Sequence, residues 1–263
     1  MKREFKHEFL GLWGKYFPGA ELPIAFFYTD SKAEGNRGSG AALHRCVIAN
    51  LARVRQGAPL QLEAGSVGCT GGKRYLGFTR SLRPKFEYFL SCGIPGKLEG
   101  ERYKKSPALV KKMMKKGLEF KAPKKYIVFK RFDLLAKSEN PEAVIFFAPP
   151  DVLAGLFTLA NFEEEESGVI APFGAGCGSI VLYPYLERKA RRPRCIAGMF
   201  DPSARPYVPA GVLSFAAPMN KFVRMVNNME DSFLITGTWD KIRRRIKGES
   251  AKNDQGRRPG QEL

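Results

Sequence analysis

Apolar positions along the chain fall into a repeating order of helix-spaced and strand-spaced runs. Phe5, Phe9, Leu12, Trp13, Tyr16 and Phe17 recur near helical spacing and stop at Pro18-Gly19, which predicts an amphipathic docking helix over residues 4–17. Leu22 to Tyr28 is a short apolar run closing on Thr29-Asp30 and reads as a buried strand, followed by a polar, glycine-rich loop from Ser31 to Gly40. Residues 41–56 return to a helical pattern through Leu43, Cys46, Val47, Leu51 and Val54, ended by Gly57-Ala58-Pro59. A strand-like Leu60–Ala64 then leads into the turn Gly65-Ser66-Val67-Gly68-Cys69-Thr70-Gly71-Gly72.

The second part of the chain runs through the same order. Val144 to Asp151 matches Ile24 to Asp30 as an aromatic-rich strand closing on an aspartate, and a helical stretch, Val152–Asn161, follows. Gly174-Ala175-Gly176-Cys177-Gly178 matches Val67-Gly68-Cys69-Thr70-Gly71, and each precedes a tyrosine-containing apolar run at Tyr75–Phe78 and Tyr183–Leu186. Each part is predicted to end in a proline-started helix and a strand: Pro107–Gly117 with Tyr126–Phe132, and Pro218–Met229 with Ser232–Thr236. The expected fold class is therefore α/β, with two similar halves related by internal duplication about a pseudo-twofold axis and packed as one unit. The boundaries are a docking helix at 1–19, halves at 20–135 and 136–240, and a basic tail at 241–263.

Charge changes this picture more than composition does. Of 263 residues, 44% are hydrophobic, an ordinary globular share that excludes collagenous and low-complexity chains, while 44 Lys or Arg against 26 Asp or Glu give a net charge of +18. Lys104 to Arg131 holds eleven basic residues and one acidic, and residues 241–263 hold eight and three with little apolar content. The tail is expected to be disordered. Within the first run Leu109, Val110, Met113 and Met114 form one helical face, leaving Lys111, Lys112, Lys115 and Lys116 to solvent. Such a surface suits a nucleic acid or an anionic lipid, although no base-reading signature accompanies it. The start of the chain, interrupted by charge, reads as no export signal, and no apolar run suits a spanning helix, so a cytoplasmic location is expected.

Candidate chemistry is narrow. Only His7 and His44 are present, which excludes histidine-rich metal sites, and neither phosphate-loop nor dinucleotide-binding glycine motifs occur. Five cysteines, Cys46, Cys69, Cys92, Cys177 and Cys195, are odd in number and lack C-x-x-C pairing, so reduced thiols are expected. Cys46, Cys69, Cys177 and Cys195 are the candidate metal ligands: convergence across the pseudo-twofold axis would give soft donors for zinc or an iron–sulfur cluster. Packing as small apolar groups is the alternative. Gly68, Gly71, Gly72, Gly176 and Gly178 are candidates for close backbone approach to an anionic cofactor, or for turn geometry alone. No residue is assigned as catalytic and no reaction is named. Two functions follow as expectations: binding of a metal, iron–sulfur cluster or small anionic cofactor between the halves, or polyanion (nucleic-acid) binding as an accessory protein.

Leu22-Pro23-Ile24-Ala25-Phe26, Cys46 with Ala52-Arg53 and Gly57, Glu63 with Gly68-Cys69-Thr70-Gly71-Gly72, Leu76-Gly77-Phe78 and the later Cys177 together resemble the prokaryotic family called domain of unknown function 169, over about residues 20–235. Arg194-Cys195 with Asp201 and Arg205 is similar to that family's Cys-Gly-Asp-Arg neighbourhood, stretched here by Ile196 to Phe200. The resemblance implies no particular reaction.

Overall fold

The computed structural model describes residues 3–32 and 43–255. Its centre is a mixed seven-stranded sheet in the order β2-β3-β1-β4-β7-β6-β5. The strands are β1 (Ile24–Thr29), β2 (Leu60–Leu62), β3 (Tyr126–Arg131), β4 (Ala143–Ala148), β5 (Val169–Ile170), β6 (Cys195–Gly198) and β7 (Leu213–Pro218). Neighbours are antiparallel except β5 and β6. β4 is apolar at every position because both of its faces are covered; the same holds for the first four residues of β1 and β3. Side-chain alternation sends Ala25, Val144 and Phe146 to one face and Ile24, Phe26, Ile145 and Phe147 to the other.

On the first face lie α1 (Arg3–Tyr16), α6 (Pro150–Ala160), α8 (Met219–Asn227) and α9 (Gly237–Gln255). Phe9 of α1 meets Phe132 and Phe222 edge-on at 5.0 and 4.9 Å, and Trp13 stacks on Phe17 at 4.4 Å. The expected docking helix thus anchors the first core. The second face carries α2 (Val47–Arg55), α3 (Thr70–Tyr75) and a wide helical turn, Gly178–Leu182, that continues into α7 (Tyr183–Glu187). Between α3 and β3 the chain adds two short helices, α4 (Phe86–Phe89) and α5 (Pro107–Lys115).

Several expectations change. The helix expected from residue 41 begins at Val47, because Asn50 receives the His44 N–H on its amide oxygen and donates to the His44 and Cys46 carbonyls, fixing a turn ahead of the helix. Ser232–Thr236, expected as a strand, is centred on a 3-10 turn, Phe233–Ile235, with the Ser232 hydroxyl accepting from the Leu234 N–H. The terminal segment, expected to be disordered from residue 241, is helical through Gln255: Trp239 and Ile246 are buried in the first core, and Arg245 pairs with Asp151. Most of the polar loop Ser31–Gly40 and the last eight residues lie outside the described residues. The two halves share one sheet, with β1 paired to β4. The helices that follow these two strands, α2 and α6, pack on opposite faces, so that element does not repeat in space.

Candidate functional site

Below the second face a cleft of about 1460 Å³ opens between residues 43–118 on one side and 171–207 on the other. This exceeds the roughly 300–1,000 Å³ of common ligand pockets. Three cysteines mark its inner corner. Cys46 stands at the N-terminus of α2 and Cys69 at that of α3, where the Cys69 sulfur accepts the Gly72 N–H at 3.5 Å; both line the cleft. Cys177 heads the wide turn into α7 and is buried. Burial above all pushes its thiol well above the usual range, with smaller electrostatic contributions from the neighbouring Cys46, Cys69 and Asp201.

Cys195 does not join them. Its side chain points to the first face, with its sulfur 3.7 Å from that of Met225, and burial raises its pKa to about 12. Strand alternation is the reason, since in β6 Ile196 faces the second core and Cys195 the first. Cys92 lies away from the cleft on an exposed hairpin. Among the described residues no three His, Cys, Asp or Glu side chains are placed to hold a metal ion.

The candidate glycines divide. Gly68 and Gly71 line the cleft. Gly72 is packed so that a Cβ would stand 3.1 Å from both Val47 and Val67, and a Cβ on Gly178 would stand 3.2 Å from the Tyr75 ring. Gly176 is buried and donates its N–H to Asp201 at 3.0 Å. None of the five has a positive φ; tight packing explains Gly72 and Gly178.

Asp201 also accepts from the Ser203 N–H and hydroxyl, so its carboxylate organises this wall. Arg205 donates to the Pro209, Ala210 and Val212 carbonyls and fixes the following loop. Asp30 and Asp151, the strand-end aspartates, are paired elsewhere with Lys124 and Arg245. His44 accepts the Cys46 N–H on Nδ1 at 2.9 Å and packs on Tyr207 at 4.9 Å, which leaves Nε2 to carry the proton of the neutral ring.

The other lining residues were not singled out from the sequence as a site. Tyr75 and Tyr183 have pKa values raised by burial, and the Ala175 backbone N–H binds the Tyr75 hydroxyl. Met113 and Met114, part of the apolar face expected on α5, point into the cleft with Phe86, Phe89 and Leu90, while Val110 alone of the helix is buried. Exposed Arg45 and Arg83 supply positive charge, Arg83 lying 4.0 Å over the Phe89 ring. The alternation of cations with Phe and Met in residues 83–116 was the available signal, but its spatial focus depends on how that segment folds back over Cys69.

Fold and site together define a three-layer α/β/α protein with a large mixed apolar and cationic cleft under one face of its sheet. The chain belongs to the domain of unknown function 169 family, described as uncharacterised ArCR, whose model matches residues 20–228. No curated protein and no solved structure matches it.

Proposed function

We propose that the cleft binds a small anionic molecule with an apolar body. The observation that carries this is the lining itself, in which the cations Arg45, Arg74 and Arg83 outnumber the acids Glu101 and Asp201 and share about 1460 Å³ with apolar side chains of α4 and α5. Asp201, the acid on the opposite wall, is occupied by Gly176 and Ser203. Apolar area supplies affinity and the few charged groups fix orientation. The test uses anilinonaphthalene sulfonate, an aromatic anion, with iodoacetamide as a footprint. Bound probe slows alkylation of Cys69, which lines the cleft, and leaves Cys92, exposed outside it, unchanged. Arg45→Gln/Arg83→Gln weakens the probe by at least about tenfold, the worth of one charge-assisted hydrogen bond. Equal alkylation of Cys69 with and without saturating probe overturns the proposal.

A soft metal or iron–sulfur cluster on Cys46, Cys69 and Cys177 at the inner corner is the second reading; it requires these side chains to draw together, since as placed no three of them hold a metal ion. Metal and acid-labile sulfide analysis of protein purified without oxygen decides between them. Stoichiometric metal lost in Cys69→Ala/Cys177→Ala would replace the organic anion, whereas metal-free protein after reconstitution removes this reading.

The two halves are also proposed to descend from one unit. Outward from the centre the strands run β1-β3-β2 on one side and β4-β7-β6 on the other, and each half supplies one wall of the cleft. Superposing these strand triplets tests it, and a fit no closer than that of unrelated triplets overturns it.

A further inference from the structure

Residues 79–122, the segment that brings α4 and α5 over the cleft, have almost no core of their own: only Ser91, Gly93, Val110 and Phe120 are buried. The segment carries twelve Lys or Arg against four Glu. Its apolar groups turn inward to the cleft, and at the mouth the apolar surface continues to the outside. Leu118, Phe173 and Phe200 all line the cleft, yet are 53%, 55% and 58% exposed. Lys104 sits 3.7 Å over the Phe173 ring, and Lys112, Lys115 and Lys116 are exposed beside Leu109, itself 45% exposed.

We infer that this mouth docks on an anionic lipid surface. Large apolar side chains rimmed by lysines match the two layers of a membrane interface, with rings and leucines entering the acyl boundary and ammonium groups meeting the headgroups. Charge complementarity selects anionic lipid, each lysine near such a surface contributing about 1 kcal/mol, or about fivefold in partitioning. Leu109 and Leu118 offer no face for base stacking and Lys104 caps the Phe173 ring, which favours lipid over single-stranded nucleic acid. Among the described residues no helix is long and apolar enough to cross a membrane, so the contact is peripheral. This goes beyond the cleft proposal, and the two fail separately because the Cys69 footprint needs no vesicle.

The full chain is sedimented with vesicles of phosphatidylcholine and of an equimolar phosphatidylcholine–phosphatidylglycerol mixture, with poly(U) binding measured in parallel. The expected result is binding to the mixed vesicles only. Phe173→Ser/Phe200→Ser lowers it by at least about tenfold, as burial of two aromatic rings requires. Lys112→Gln/Lys115→Gln/Lys116→Gln lowers it by about fivefold per charge removed. All these positions are exposed, and unchanged circular dichroism with wild-type urea stability shows that the variants fold. Binding equal for both vesicles, mixed-vesicle binding untouched by the phenylalanine substitutions, or binding to poly(U) without vesicle binding each overturns the inference.

Discussion

Replacing Trp239 with alanine tests whether the C-terminal helix is part of the core. Trp239 is 1% exposed, its indole N–H donates to the Tyr16 carbonyl at 3.0 Å, and its ring lies 5.2 Å from Phe17 and 5.1 Å from Phe233. Removing a buried large aromatic side chain costs about 3–5 kcal/mol, and the orphaned Tyr16 carbonyl adds about 1 kcal/mol. Trp239→Ala is therefore expected to lose about 4–6 kcal/mol, a large share of the roughly 5–15 kcal/mol that holds a typical domain folded. Gly155 of α6 supplies an independent check, because a Cβ there would overlap the Trp239 ring and stand 2.7 Å from Phe17. Gly155→Ala alone gains about 1 kcal/mol of helix propensity but costs about 1–3 kcal/mol in overpacking, a net loss of about 1 kcal/mol. Combined with Trp239→Ala it no longer meets the indole, so the pair couples favourably by about 1–2 kcal/mol. Urea unfolding followed by circular dichroism measures all four proteins. A Trp239→Ala loss below about 1 kcal/mol, or strict additivity in the double variant, would refute docking of α9 against α6 and α1.

In native protein iodoacetamide is expected to label Cys69 and Cys92 first and to reach Cys177 and Cys195 only on unfolding, since burial raises both thiols; mass spectrometry showing Cys195 labelled as fast as Cys69 would contradict the placement of β6. Gly198→Ala should cost about 1–3 kcal/mol, because its Cβ would overlap the Ser179 side chain and lie 2.8 Å from the Ser214 hydroxyl; wild-type urea stability would dismiss that packing. Lys221 is 2% exposed and pairs with Glu164, whose pKa it lowers chiefly through their hydrogen bond. The folded pKa being depressed, this contribution is fully present above the ordinary carboxylate range and is lost as pH falls through the folded value. Glu164→Gln should cost about 3–5 kcal/mol at neutral pH and flatten the acid limb of the stability profile, whereas a profile parallel to wild type would rule the pair out as its source.

What the sequence determines is local. Helix spacing at Phe5, Phe9 and Trp13 and the Pro107 start of α5 specify these helices, because periodicity and helix-start chemistry act within a few residues. The apolar runs that become β1, β3 and β4 are equally plain, since strands covered on both faces need no polar positions. Turn chemistry brought Cys69 and Cys177 into view, and the protein's positive charge follows from composition alone. What tertiary structure decides is which face each element meets. Four candidate cysteines looked alike in the sequence, yet the two-residue alternation of β6 turns Cys195 into the opposite core while Cys46, Cys69 and Cys177 share one corner. Residues 241–248 look like polar tail by composition, but Ile242 and Ile246, following the buried Trp239, dock the helix on the first core. The cleft is likewise a product of packing: Met113, Phe89, Phe173 and Phe200 lie far apart in the chain, and only the folding of residues 79–122 over the second face makes them one surface.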